Sequence, residues 1–241
     1  MLEYDPAILR FDTPETTGKL FSGNAAVIIA NTPNRVLGSI NSPIFDEDGD
    51  KPNNDSPAEY TQPNITFGQR IDLGIMANTD FYFRSLADTP NIIGIKTQII
   101  GEGRHQNTTG LKMAISAEYG IRATDEQDDG TDRAIRDMYS YDFSANVGFR
   151  FNKHLIVYSN SFYNFLYIHG TLDRGVLVYD KQGSGKTFGS LIGIRFGENS
   201  IGPFLGVEYG RSLVKWPKTN VTHEIDKEWV NAYGVSVGYT W

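Results

Sequence analysis

The length, composition and charge of the chain limit the structures that it can form. It has 241 residues with no linker-like shift in composition, no cysteine, 39% hydrophobic residues and a formal net charge of -7. The lack of cysteine excludes a disulfide framework and a thiolate metal site, and the negative charge argues against nucleic acid as a partner. The sequence also contains no run of ~18 apolar residues, the length that a membrane-spanning helix requires.

The first 17 residues predict an irregular arm rather than a strand. Asp5-Pro6 and Thr13-Pro14 interrupt this stretch, and proline removes a backbone donor from any strand ladder. Residues 1–6 have neither the basic start nor the apolar core of a signal peptide. If the protein is secreted, we therefore expect a processed chain that carries an added Met1.

The rest of the chain, residues 18–241, alternates between large apolar and small or polar residues in about ten segments. A period of two is typical of strands that expose two different faces. The candidate strands cover 19–30, 67–77, 79–86, 91–101, 109–122, 138–152, 154–168, 186–197, 201–214 and 228–241. An even number of antiparallel strands fits an all-β, closed up-and-down barrel, with eight or twelve strands as the alternatives to ten.

The connections between these segments alternate in length. Four long connections are predicted, at 31–66, 123–137, 169–185 and 215–227. Tight turns are predicted at 78–79, 152–153 and 198–200, with a somewhat longer connection at 102–108. If the long connections share one end of the barrel, all of the tight turns lie at the other end.

The final strand indicates what surrounds the barrel. Trp229, Tyr233, Val235, Tyr239 and Trp241 share one face, whereas the other face carries mainly glycine, alanine and serine. A soluble β-protein buries its large apolar residues. Here a face of small and polar residues repeats in strand after strand, and we expect this face to line a narrow interior. The bulky face therefore meets an apolar medium, and aromatic residues at both ends of an aliphatic stripe suit the two interfaces of a bilayer.

With its terminal aromatic residue, the segment 235–241 resembles the closing strand of the small Gram-negative outer-membrane β-barrel superfamily. The resemblance covers about residues 18–241 and specifies no single family. It implies a transmembrane barrel in the bacterial outer membrane, in contact with its lipid and lipopolysaccharide. It also implies that the four long loops are extracellular, and that the tight turns and the arm at 1–17 are periplasmic.

Charges of both signs fall on the predicted inward faces. A charge at the lipid midplane costs about 2–4 kcal/mol, and a narrow lumen favours pairing of opposite charges. We predict a charge network that plugs the lumen, with Arg195 and Glu208 close together and joined to Arg150 and Asp142. The predicted network comprises Arg70, Asp72, Lys112, Glu118, Asp142, Arg150, Arg195 and Glu208. Arg84, Lys96 and Arg122 have inward parity as well. A narrow, charge-lined conduit is the alternative.

The first long loop contains acidic residues two apart, at Asp46, Asp48 and Asp50. This spacing occurs in loops that bind hard cations, although the glycine and glutamate of an EF-hand are absent. The sequence thus offers a candidate weak Ca²⁺ or Mg²⁺ site beside the alternative of a solvated acidic loop. It predicts no other cofactor and identifies no metal.

The sequence favours a non-enzymatic protein. The four histidines, His105, His154, His169 and His223, lack the Asp-x-His and His-x-Ser spacings of barrel proteases and lipases. The predicted function is a structural or surface-binding role through the extracellular loops, with a plugged lumen and a protein partner or oligomer bound through the loops or the arm. The alternatives are a narrow, porin-like solute channel and, more distantly, an outer-membrane barrel hydrolase or a soluble ligand-binding barrel.

Overall fold

The fold is almost entirely β-sheet. The computed structural model describes residues 2–4, 6, 8–38, 62–86, 89–106, 108–128, 133–174, 177–197, 200–215 and 227–241. The strands are β1 (Leu2–Tyr4), β2 (Gly23–Gly38), β3 (Gln62–Met76), β4 (Thr79–Leu86), β5 (Asn91–Ile100), β6 (Gly110–Asp128), β7 (Arg133–Asn152), β8 (Leu155–Arg174), β9 (Leu177–Gly197), β10 (Gly202–Lys215) and β11 (Glu228–Thr240). A 3₁₀ helix spans Arg104–Gln106. No helix in these ranges is long and apolar enough to cross a membrane.

Strands β2 to β11 close into a ten-stranded antiparallel barrel. Each strand pairs with its neighbours in the chain, and β2 pairs with both β3 and β11, which closes the sheet. The predicted up-and-down barrel of about ten strands is confirmed, and the alternatives of eight and twelve strands are wrong. The short β1 lies outside this ring and adds to one end of β2.

The two faces of the barrel wall differ in the way that the period-two pattern predicts. Along β10, buried and outward-facing residues alternate from Gly202 to Val214. Large apolar residues such as Val27 and Ile192 face outward and are each 62% exposed. Charged residues such as Arg70 and Glu118 face inward and are buried. A strand with this alternation satisfies both an apolar exterior and a polar interior at once.

Outward-facing aromatic rings gather at two levels of the barrel. Tyr139 stacks on Tyr167 with ring centroids 5.1 Å apart, and Tyr119 lies 5.2 Å from Tyr141. Nearer the tight-turn end, the rings of Phe149 and Phe151 meet edge to face at 5.0 Å. Such aromatic pairs contribute beyond the area that they bury, and here they lie at two levels of the outer face.

Two of the predicted long loops are instead continuations of strands. The pairing of β6 with β7 continues to Asp128 and Arg133, and that of β8 with β9 to Arg174 and Leu177. The bounds 123–137 and 169–185 are therefore wrong as loops. Likewise, β2 and β3 shorten the connection predicted at 31–66 to residues 39–61, and β11 begins after residue 227. Each strand supplies backbone hydrogen-bond partners to its neighbour. The pairing of the strands therefore continues through segments whose side chains are polar.

The N-terminal arm is the largest departure from the sequence prediction. The arm was expected beside the tight turns, but β1 pairs with the opposite, long-loop end of β2, with Leu2 opposite Gly38. The chain then runs down inside the barrel, where Ile8 and Thr17 are both fully buried or nearly so. It reaches the tight-turn end before entering β2 at Gly23. The arm has this path because its polar residues find partners on the lumen wall.

Two glycines let the arm turn out of the lumen into β2. Gly18 has a φ of 78°, in the left-handed region that glycine tolerates best. A Cβ atom on Gly18 would lie 2.8 Å from the Cα atom of Gly103, in the segment between β5 and β6. The backbones approach so closely that neither position has room for a side chain. This contact fixes the tight-turn end of the arm.

Val147→Arg is expected to impair folding of the barrel into bilayers. Val147 faces outward in the middle of β7, where arginine costs about 2–4 kcal/mol. The control Thr109→Arg changes an exposed residue at the turn end and is expected to alter stability by less than about 0.5 kcal/mol. The folded fraction in lipid vesicles, followed by heat-modifiable migration on gels, measures both. Equal folding of the two variants would contradict the outward assignment of Val147.

Candidate functional site in the barrel lumen

The lumen of the barrel is filled by the N-terminal arm. Every side chain from Ile8 to Thr17 is buried. The inward glycines of the closing strands make room for it. A Cβ atom on Gly210 would lie 2.7 Å from Ile8 Cγ2, and one on Gly234 would lie 2.8 Å from Leu9 Cδ1. The small inward face of β10 and β11 thus has a packing role, because it accommodates the arm.

Arg10 links the arm to three strands of the barrel wall, β6, β7 and β10. Its guanidinium donates to Asp142 Oδ1 at 2.8 Å and to Glu118 Oε1 at 3.0 Å. Glu118 also accepts from Arg84 Nη2 at 2.8 Å and from the Tyr82 hydroxyl at 2.6 Å. All of these groups are buried. Two carboxylates therefore face two guanidinium groups in a buried, hydrogen-bonded cluster, and such pairing is the condition under which buried charges are tolerated.

Asp12 organises a second cluster nearer the tight-turn end. Its Oδ1 atom accepts from Arg70 Nη2 at 2.7 Å and from Lys96 Nζ at 3.0 Å. Its Oδ2 atom accepts from Asn146 Nδ2 at 2.9 Å. Arg70 bridges further to Asp72, at 2.7 Å. Asp12 thus joins residues of β3, β5 and β7 across the lumen.

The last part of the arm is anchored at the turn end. Glu15 forms a two-pronged ion pair with Arg150, in which Nε donates at 2.6 Å and Nη2 donates to the other carboxylate oxygen. Two residues on, the backbone N–H of Thr17 donates to Asp80 at 2.9 Å, and its hydroxyl donates to the same carboxylate. A bidentate arginine–carboxylate pair gives geometric specificity as well as energy. The arm is therefore fixed at both of these residues.

The eight residues of the predicted lumen network do face inward, and all are buried. They do not form one network, however. The expected pairing of Arg195 with Glu208 is wrong: Arg195 donates to Thr240 Oγ1 at 2.8 Å. Glu208 instead accepts from the backbone N–H of Arg10 at 2.9 Å and from the Tyr158 hydroxyl at 2.8 Å.

Two other expected connections are replaced in the same way. Arg150 and Asp142 were predicted to join Arg195 and Glu208 in one network, but Arg150 pairs with Glu15 and Asp142 with Arg10. The physical reason is that the arm lies between the walls and supplies opposite charges at shorter range. Lys112, the remaining member, donates to Thr108 Oγ1 at 2.6 Å and to the Glu102 carbonyl at 2.9 Å.

The sequence-predicted cation loop cannot be compared with the structure. Asp46, Asp48 and Asp50 lie outside the described residues, so this site stays a prediction. Within the ranges that are described, no group of three or more His, Asp or Glu side chains could hold a metal ion. The residues that sequence reasoning missed are Arg10, Asp12 and Glu15, because the arm was assigned to the outside of the barrel.

Comparisons with known proteins give structural neighbours but no family. No protein-family model matches the chain, and no curated protein matches it. The chain is similar to the outer membrane protein Ail of Yersinia pestis in a phospholipid nanodisc, with 14% identity, a TM-score of 0.35, and coverage of 92% of this chain and 99% of that one. It is also similar to Neisserial surface protein A, with 13% identity, a TM-score of 0.36 and coverage of 91% and 95%.

A third similar structure is the N-terminal β-barrel domain of Pseudomonas aeruginosa OprF. The identity is 10% and the TM-score is 0.30, with coverage of 91% of this chain and 98% of that domain. No particular family is identified.

Arg10→Leu is expected to destabilise the barrel by about 3–5 kcal/mol, because it leaves Asp142 and Glu118 short of a buried counter-charge. Adding Asp142→Asn to this variant should restore part of the loss, since one unpaired carboxylate is then removed. The heat-modification temperature of the folded protein measures both effects. Lys153→Leu, at an exposed turn residue, is the control and should be near neutral. Additive losses in the double variant would contradict the pairing.

Proposed function

We propose that this chain is an integral, non-enzymatic protein of the bacterial outer membrane, sealed by its own N-terminal segment, that acts through the surface at its long-loop end. The observation that carries the proposal is the course of the arm. Residues 8–17 occupy the lumen, and Arg10, Asp12 and Glu15 each form ion pairs with the wall. The ion pairs between these three arm residues and the wall give the interior a structural task.

The exterior supports the membrane location. Between Tyr141 and Phe151 on β7, the outward residues are Phe143, Ala145, Val147 and Phe149. At about 3.3 Å per residue and a strand tilt of about 40°, this stretch spans roughly 25 Å along the barrel axis. That height equals the apolar band of outer-membrane barrels, which is about 25 Å tall. In water, an apolar belt of this size would drive aggregation.

The lengths of the connections support the orientation. The connections after β3 and β7 are tight, whereas residues 39–61 and 216–227 separate strands at the opposite end. Outer-membrane barrels have short periplasmic turns and longer extracellular loops. On this basis the long-loop end faces the cell exterior, and β1 lies at that same rim.

The rim itself supports a surface-binding role. Strands β6 to β9 have 19 to 21 residues each, whereas β4 has 8 and β5 has 10. The part of β7 from Arg133 to Tyr141 extends roughly 20 Å along the barrel axis beyond the level of Tyr141. One side of the barrel thus continues as a raised four-stranded sheet. A wall of this height offers a partner more area than loops alone, and we propose it as the binding surface for a protein partner or lipopolysaccharide.

The channel alternative makes a different electrical prediction. We expect the wild-type protein in planar bilayers to conduct little or no current, because the arm and its ion pairs occupy the lumen. A variant that lacks residues 2–17 should show discrete openings. Adding a synthetic peptide of residues 2–17 from the long-loop side should suppress them, and a scrambled peptide of the same composition should not. Large, steady conductance from the wild type would favour the solute channel.

The orientation of the arm can be tested on intact cells. An epitope tag placed directly before Leu2 is expected to bind antibody without permeabilisation, as should a tag inserted within residues 39–61. A tag inserted at the tight turn between Ala77 and Asn78 should bind only after the outer membrane is opened. Labelling of the Leu2 tag only in permeabilised cells would mean that the arm does not pass through the lumen to the exterior.

A further inference from the structure

Arg195 stands apart from the other buried cations of the lumen. Its guanidinium donates to the Thr240 hydroxyl at 2.8 Å and stacks 3.5 Å from the centre of the Phe204 ring. Among the residues that the structure describes, no carboxylate lies within ion-pair distance of it. A buried arginine without a counter-charge is costly. Its surroundings must therefore supply negative charge in another form.

A small, partly enclosed cavity lies beside this guanidinium. Arg70 and Arg195 are in its wall, together with polar groups of Asn24, Thr13 and Tyr158. The amide nitrogen of Asn24 and the hydroxyl of Thr13 have no hydrogen-bond partner, although the two residues are only 3% and 4% exposed. A buried polar group without a partner requires an explanation, and a bound water or ion is one that fits a cavity. In this cavity, both groups can act as donors.

An ion answers the charge of Arg195 better than water does. Several other buried cations of the described lumen have a carboxylate within ion-pair distance, namely Arg10, Arg70, Arg84, Lys96 and Arg150. Arg195 has none, and a monovalent anion in a cavity lined by hydrogen-bond donors would supply the missing negative charge.

We propose that this cavity binds one small monovalent anion of halide size, held by Arg195 and by the donors of Asn24 and Thr13. Phe11 and Phe204 also line the cavity, whose volume of about 10 Å³ leaves room for one small ion and not for a larger oxyanion. A hydrogen bond to an ionised group is roughly twice as strong as one between neutral groups. The anion therefore satisfies the guanidinium and the two unpartnered donors better than a water molecule does.

The position of the site gives the anion a structural role. Asn24 lies opposite Thr240 in the pairing of β2 with β11, the seam at which the barrel closes. Arg195 reaches Thr240 from β9, and Thr13 belongs to the arm. An anion in this cavity therefore links the seam, the wall and the arm near the tight-turn end. We expect its binding to stabilise the closed barrel with the arm inserted.

The proposal is tested by the halide dependence of unfolding of the full-length protein in detergent micelles. The heat-modification temperature is measured in sodium chloride, bromide, gluconate and sulfate at one ionic strength. Chloride and bromide should raise it saturably by roughly 2–4 °C, and gluconate and sulfate should not. Arg195→Gln should abolish the rise. Arg84→Gln removes a buried arginine outside the cavity and should lower the temperature while keeping the halide response.

A second measurement does not depend on the variants folding. Crystals of the wild-type protein grown in sodium bromide should give an anomalous bromide peak within hydrogen-bond distance of the Arg195 guanidinium. A missing peak there, or equal unfolding temperatures in chloride and gluconate, would overturn the proposal and assign the cavity to water. A halide response that survives in Arg195→Gln would likewise place the anion elsewhere and overturn it.

Discussion

The neutralisation of charge inside a narrow barrel is the constraint on which the rest of this structure depends. The wall carries charges that cannot face lipid, and a lumen of ten strands is too narrow to hydrate them fully. The arm resolves this conflict by entering the lumen with Arg10, Asp12 and Glu15, each opposite a wall residue of the other sign. The path of the N-terminus follows from these ion pairs, and the small inward residues of β10 and β11 leave room for it.

The barrel wall could be predicted from the sequence because its pattern is local. Tyr141 faces outward and Asp142 inward on β7, as the alternation of large and polar residues requires. The ends of the strands could not be predicted in the same way. Residues 125–128 are polar and were predicted to lie in a loop, yet they pair with β7, because a neighbouring strand supplies hydrogen bonds whatever the side chains are.

The arm could not be placed from local pattern, because its partners are far away in the chain. Arg10 meets Asp142 across 132 positions, and no spacing rule connects them. The sequence did contain one indication that the arm enters the lumen: on the predicted inward faces, cations outnumber acids. The cations are Arg70, Arg84, Lys96, Lys112, Arg122, Arg150 and Arg195, and the acids are Asp72, Glu118, Asp142 and Glu208. This excess required acidic groups from another segment, and Asp12 and Glu15 provide them.

The same ion pairs bear on how the barrel closes. Replacing buried ion pairs by apolar groups is often neutral or stabilising, so their contribution here is better explained by specificity than by net stability. A strand that slips by one residue exchanges its two faces, and on β6 this would move Glu118 into lipid. Because Arg10 contacts residues of β6, β7 and β10, it holds these strands in a common register.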